Sequence, residues 1–177
     1  MAGMVVVAMC ADPNLFVACV RQVQKSLKYS AKKLIEEKIE AFGVGHLFEV
    51  QQNVIKRIGG KGECIFCGLS DHTADSIKSM DGFHIWWIEE AQSITEHSMQ
   101  LLIPTVRGNK GPFGASQPEV WFSWNPRRRA DPVEKLLRPR GKARESAIVV
   151  RANYTDNPFL AQHELDEIEF DRVSNPD

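Results

Sequence analysis

No run of apolar residues in this chain approaches the length of a membrane span. The longest candidate, Met4-Val5-Val6-Val7-Ala8-Met9-Cys10, has seven residues, where a bilayer-crossing helix needs about 20. It also lacks the basic flank of an export signal, so an intracellular setting is expected. Net charge is equally scarce. Lys and Arg number 22 against 23 Asp and Glu, leaving −1. No global basic field announces nucleic acid, and any such contact must be a local patch. Internal repeats and low-complexity tracts are missing. Cysteine is sparse: Cys10, Cys19, Cys64 and Cys67. Cys64-Ile65-Phe66-Cys67 has the spacing of half a zinc site, with His72 nearby, but no second cysteine pair completes it. The residues between are β-prone, and positions i and i+3 of a strand face opposite sides. Buried reduced thiols are expected there, and zinc is not.

What remains is an ordinary globular composition, 43% hydrophobic and 25% charged over 177 residues, one domain's worth of core. Residues 4–10 read as the end of an apolar helix cut at Asp12-Pro13-Asn14, followed by a strand over Leu15–Val20. From Gln22 to Phe42 apolar residues recur with helical spacing, and Gly43 marks the stop. A strand pair is expected next, Phe48–Ile58 and Glu63–Gly68 flanking the turn signal Gly59-Gly60-Lys61-Gly62. Thr73–Ser79 reads as a short capped helix and Ser93–Leu102 as another, with Thr95 as N-cap and Pro104 closing it. Glycine and proline make 108–117 a loop. Glu119–Trp124 is a strand, Asp131–Leu137 a short helix, Ala147–Arg151 a strand and His163–Val173 a charged last helix. Strands alternating with helices predict an α/β sheet with flanking helices.

The segment Ile85-Trp86-Trp87-Ile88-Glu89-Glu90 says most about chemistry. A parallel strand covered on both faces reads as a continuous apolar run. Charge should then appear only where the strand emerges at its carboxyl end, which is where open α/β sheets bind ligands. Two carboxylates there divide the work of nucleotide hydrolysis. Glu89 is placed to hold Mg²⁺, and Glu90 to orient the attacking water. The plain alternative is a helix start with acids favoured by its dipole.

A second element, Phe122-Ser123-Trp124-Asn125-Pro126, also ends in polar residues. If the two strands are parallel neighbours, Asn125 emerges beside Glu89 and Glu90, where a neutral amide can sense a γ-phosphate. An Asn-Pro turn is the alternative. Arg127-Arg128-Arg129 follows, either a solvated loop or a contact with DNA phosphates or a neighbouring subunit's nucleotide. Arg21, just past the first strand, is either a surface residue or DNA- or nucleotide-facing.

With those residues in view, the chain resembles the ATPase region of the large terminase subunit of tailed bacteriophages, the motor that packages double-stranded DNA into procapsids. The likeness is carried by Cys19–Leu27, Ser76–Phe83, Trp87-Ile88-Glu89-Glu90-Ala91, Leu102–Arg107, Trp121–Pro126 and Asn153-Tyr154-Thr155-Asp156-Asn157-Pro158-Phe159, six motifs in the family's order. It implies a RecA-like, additional-strand P-loop ATPase sheet with flanking helices, incomplete at the N-terminus. Residues 1–150 would be a partial ATPase domain and 151–177 the start of a lid or linker subdomain. Glu89 becomes the Walker B acid and Mg²⁺ ligand, Glu90 the catalytic carboxylate, and Asn125 the coupling sensor. ATP is implied as substrate. Double-stranded DNA, a small terminase subunit, the portal protein and sister large subunits are implied as partners, in the cytoplasm of a bacterial host. Competing readings are another P-loop ATPase such as a helicase, and a non-catalytic prophage remnant or scaffold.

Two departures temper the resemblance. No Gly-rich loop ending in Lys followed by Ser or Thr exists in residues 1–177, because Gly59-Gly60-Lys61-Gly62 lacks the hydroxyl and sits in the wrong place. The family's acidic nuclease cluster is missing too, so a fragment or degenerate gene product is expected. Without backbone amides and a lysine on the β- and γ-phosphates, nucleotide affinity should be poor. Purified 1–177 is therefore expected to release negligible phosphate from Mg-ATP. Robust turnover abolished by Glu90→Gln would overturn that expectation.

Overall fold

A computed structural model of the protein describes residues 1–23, 31–69, 80, 82–107, 110–142, 144–158 and 160–174. Two compact units are present, Met1–Lys142 and Ala143–Asp177. The first is built on a six-stranded sheet. Its strands are β1 (Phe16–Arg21), β2 (Phe48–Val50), β3 (Val54–Arg57), β4 (Glu63–Gly68), β5 (Ile85–Ile88) and β6 (Glu119–Phe122), in the spatial order β2-β3-β4-β1-β5-β6. Strands β4, β1, β5 and β6 run parallel, and β2 and β3 are antiparallel additions at one end.

Helices α1 (Ala2–Ala11) and α2 (Ala31–Ala41) cover one face. Helices α3 (Glu96–Thr105) and α4 (Pro132–Leu137) cover the other. This double cover explains why β1 and β5 alternate nothing: Val17, Ala18, Cys19 and Val20, and Ile85 through Ile88, are all buried. Helix α1 contains Val5-Val6-Val7, a β-branched run that disfavours helix. Burial of Val5, Val6, Ala8 and Met9 against the sheet outweighs that preference. Helix α2 is amphipathic, burying Ala31, Ile35 and Ile39 at four-residue spacing. Among the described residues no helix is long and apolar enough to cross a membrane.

Cys64 and Cys67 fall on opposite faces, Cys64 in the core under α1 and α2, Cys67 in the core under α3 and α4. Burial pushes both thiols up, Cys67 to about 12.

Several local expectations need correction. The stretch Phe48–Ile58 is a hairpin, not one strand, because Gln51-Gln52-Asn53 turns the chain. Gln22 and Val23 form a bend, and the described helix begins at Ala31, with 24–30 outside the described residues. The expected helix at Thr73–Ser79 also lies outside them. Helix α3 runs through Pro104 to Thr105 before stopping, since a proline in the last turn loses only one terminal hydrogen bond. Thr95 is the N-cap, its hydroxyl accepting from the Ser98 N–H at 3.1 Å. Residues 147–151 form no strand. The pattern is β-prone, but no strand among the described residues pairs with it, and Ile148 and Val150 stand exposed. In the second unit the last helix, α5 (Gln162–Ser174), is joined to the Asn153 turn by Tyr154 Oη donating to Glu169 Oε1 at 2.9 Å.

The β3–β4 turn is where glycine is obligatory. Gly59 sits at φ 83°, and a Cβ on Gly60 would meet the Pro13 carbonyl oxygen at 2.0 Å. Gly62 donates to that same oxygen at 2.8 Å, so the loop before β1 is pressed onto the hairpin. Gly60→Ala should therefore cost about 1–3 kcal/mol in urea unfolding. Gly45→Ala, with nothing within 4 Å, should stay within about 0.5 kcal/mol. Equal effects would contradict this packing.

Candidate active site

Register places the functional side chains. Val20 lies opposite Ile88 in the β1–β5 pair, and Ile88 opposite Phe122 in the β5–β6 pair. The next residues, Arg21, Glu89 and Ser123, therefore leave the sheet at one level, at the carboxyl ends of three adjacent parallel strands. The Glu89 N–H still donates to Val20 O at 2.9 Å, and Ser123 N–H to Ile88 O at 3.0 Å, so the ladder extends to the rim itself.

There Arg21 bridges the acid pair. Its guanidinium stands 3.6 Å from Glu89 Oε2 and contacts Glu90 Oε2. Arg21 and Glu89 side chains are each 12% exposed, whereas that of Glu90 is 42% exposed. One cation between two adjacent carboxylates offsets their mutual repulsion, and the half-buried setting strengthens the attraction. The three groups leave one formal negative charge at the rim. Glu90 adopts the left-handed conformation, φ 48° and ψ 48°. A non-glycine residue there costs on the order of 1–2 kcal/mol, and such strain collects at functional positions. The turn separates two neighbouring acids, leaving Glu89 against the sheet and Glu90 open to solvent.

The turn after Glu90 is stitched to the end of β6. The Ala91 N–H donates to Ser123 O at 3.0 Å, and Trp87 Nε1 donates to Ser123 Oγ at 3.0 Å. Gln92, buried, accepts from the Asn125 N–H through Oε1 at 3.1 Å. That bond places the Asn125 backbone beside the turn that follows the acid pair, and the residue is exposed. On the far side of its loop, Trp124 Nε1 donates to Glu134 Oε1 at 2.9 Å, and Arg138 grips the same carboxylate through Nε and Nη2. The bonds from Arg138, helped by the Trp124 bond, outweigh the opposing effect of burial and hold the Glu134 carboxyl below the usual range. Arg127, Arg128 and Arg129 are exposed on the loop between Asn125 and α4.

Sequence reading singled out Arg21, Glu89, Glu90, Asn125 and the three arginines. The first four share the rim, and Arg21 touches the acid pair directly. Gln92 and Glu134 were missed. Their types are common on surfaces, and only the fold turns Gln92 towards Asn125 and Glu134 under Trp124. Among the described residues no three His, Cys, Asp or Glu cluster as a metal site, so any cation here would draw on the Glu89–Glu90 pair.

The class this defines is a three-layered, mostly parallel α/β sheet with an acidic pair on its carboxyl-end rim. The family model for the phage terminase large subunit matches residues 1–177. The chain belongs to that family. Among solved structures it is similar to the large terminase of a thermophilic bacteriophage, with a TM-score of 0.68 at 15% identity, covering 98% of this chain and 41% of that one. The same large terminase in complex with ADP gives 0.65 at 14% identity, with 98% and 40% covered. The HK97 bacteriophage large terminase gives 0.64 at 8% identity, with 99% and 40% covered. The chain thus spans about two fifths of the large terminases it resembles. No curated protein matches. The α/β sheet expected from the resemblance is the one found.

The Glu134 bracket gives a pH signature. A carboxyl lowered in the folded state stabilises above its unfolded value of about 4.3. That contribution is lost as pH falls through the lowered folded value. Glu134→Gln should therefore lower the thermal midpoint most at pH 6–7, with the gap to the native chain closing below about pH 4. A gap independent of pH would contradict the assignment.

Proposed function

We propose that this chain is the hydrolytic segment of a phage DNA-packaging motor, in which ATP hydrolysis drives double-stranded DNA into a procapsid. The observation that carries this reading is the convergence of Arg21, Glu89, Glu90 and the Asn125 loop on one rim of three parallel strands. A related large terminase was solved in complex with ADP, which supports a nucleotide as the ligand of that rim.

In this reading Glu89, close to the sheet, would hold Mg²⁺, and the partly exposed Glu90 orients and polarises the attacking water. Magnesium asks for only one or two protein carboxylates, with water and phosphate oxygens completing its octahedron, so the acid pair fits it. When bound it would offset charge developing on the transferred phosphoryl group. Arg21 fixes the direction of both carboxylates. Asn125 reports whether a γ-phosphate is present, and its amide passes that state to the segment leading into α4. Residues 151–177 begin a lid or linker. Double-stranded DNA, the small terminase subunit, the portal protein and sister subunits are the partners, in the cytoplasm of the bacterial host.

Residues 1–177 contain no Gly-rich loop ending in Lys followed by Ser or Thr, so a test of catalysis has to supply one; the competing reading is a non-catalytic scaffold. One experiment separates them. Residues 1–177 joined at the amino end to a Gly-rich, Lys-Ser phosphate loop should hydrolyse Mg-ATP. Glu90→Gln should then lower kcat by about 10²–10³-fold with nucleotide binding retained, and Glu89→Gln should raise the Mg²⁺ requirement. Turnover indifferent to Glu90→Gln would sink the catalytic assignment. A folded joined chain with no turnover would favour the scaffold.

A further inference from the structure

We propose that Arg127–Lys142 forms a phosphate-contacting surface that lies along the backbone of a nucleic-acid duplex. Seven cations against two carboxylates give this stretch a net charge of +5, in a chain whose total is −1. The two carboxylates are spent locally. Asp131 Oδ2 accepts from the Arg128 N–H at 3.1 Å, and Glu134 is held by Trp124 and Arg138. The guanidinium groups of Arg127, Arg128, Arg129 and Arg140 and the ammonium of Lys142 pair with no carboxylate among the described residues, and all five residues are exposed. Lys135 makes only a loose, exposed pair with Glu96 at 3.6 Å. Glu134 is turned inward, Asp131 is used by its own turn, and the five unpaired cations face outward.

The platform beneath is rigid. Val133 is fully buried and Glu134 nearly so, which fixes α4 on the sheet and lowers the ordering cost of a contact. Arg140 is held at φ 57°, a conformation that non-glycine residues rarely take.

Geometry selects the partner. The free cations lie before and after a six-residue helix, which rises about 9 Å. Cations distributed along that length suit an extended polyanion. A duplex, with one charge per about 1.7 Å of axis, offers anions along that whole length. Four of the five free cations are arginines, whose planar forks suit phosphate. No aromatic residue lies between 127 and 142, so base stacking, the mark of single-strand sites, is not provided. The stretch begins two residues after Asn125, so a duplex lying on it would be one short tether from the rim. The choice of a duplex rests on the motor reading. The assay contains no nucleotide, so failure of hydrolysis and failure of DNA binding are separate results.

The test is fluorescence anisotropy of the chain on a labelled 30-base-pair duplex of arbitrary sequence, from 0.05 to 0.3 M salt. The triple variant R127Q/R128Q/R129Q should weaken binding tenfold or more and lower the slope of log K against log salt by about 2–3, roughly one per lost phosphate contact. R140Q/K142Q should lower it by about 2 on the same scale. K32Q/K33Q on α2, removing comparable charge elsewhere, should leave both unchanged. Thermal midpoints are expected to match the native chain, since all the patch side chains are exposed. The proposal is overturned if both patch variants bind normally, if K32Q/K33Q weakens binding as much, or if poly-glutamate competes as well as duplex at equal charge.

Discussion

The structure turns on the register of three parallel strands. Because Val20 faces Ile88 and Ile88 faces Phe122, the chain leaves β1, β5 and β6 at the same height, and Arg21, Glu89 and Ser123 become neighbours. A slip of one residue in either pair would turn every side chain of that strand to the opposite face. It would also carry Arg21 off the acid pair. The register is held by packing, because Val17, Cys19, Ile85 and Trp87 fill the core under α1 and α2 while Ala18, Val20, Trp86 and Ile88 fill the one under α3 and α4, and a slip would put side chains of the wrong size into each.

From that constraint the polar architecture follows outward. Arg21 compensates two carboxylates that would otherwise repel one another. The left-handed turn at Glu90 gives the two carboxylates different surroundings, Glu89 buried and Glu90 partly exposed, while one guanidinium contacts both. Ser123 and Gln92 tie the turn to the Asn125 loop through the main chain, and Glu134 ties the far side of that loop to α4. Movement at the acid pair therefore has a short, hydrogen-bonded route to α4. The basic stretch lies at the end of that route, outside the core, where its cations keep their hydration. The family supplies the chemical context, and the arrangement of these particular residues supplies the mechanism proposed for it.

Much of this was legible along the chain because the physics behind it is local. A continuous apolar run ending in Glu89-Glu90 signals a doubly covered strand, and Thr95 at the head of a helical pattern signals a cap. Legibility failed where a partner decides. Residues 147–151 carry a strand pattern, yet a strand exists only when another backbone accepts its hydrogen bonds. Gln51-Gln52-Asn53 interrupts what reads as one strand because a tight hairpin needs only a few polar residues. Gln92 and Glu134 have no local pattern at all.

The layers, the residues at the strand ends and the local excess of cations after Asn125 can be read along the chain, since periodicity, composition and charge are properties of neighbours in it. Tertiary structure alone decided that Arg21 meets Glu89 and Glu90 across 68 residues, that Gln92 rather than solvent receives the Asn125 N–H, and that Glu134 is taken inward while its neighbouring cations stay outside. The physical reason is the same in each case. These contacts join side chains from different elements, and only the strand order and register, set by burial of the whole sheet, bring those elements together.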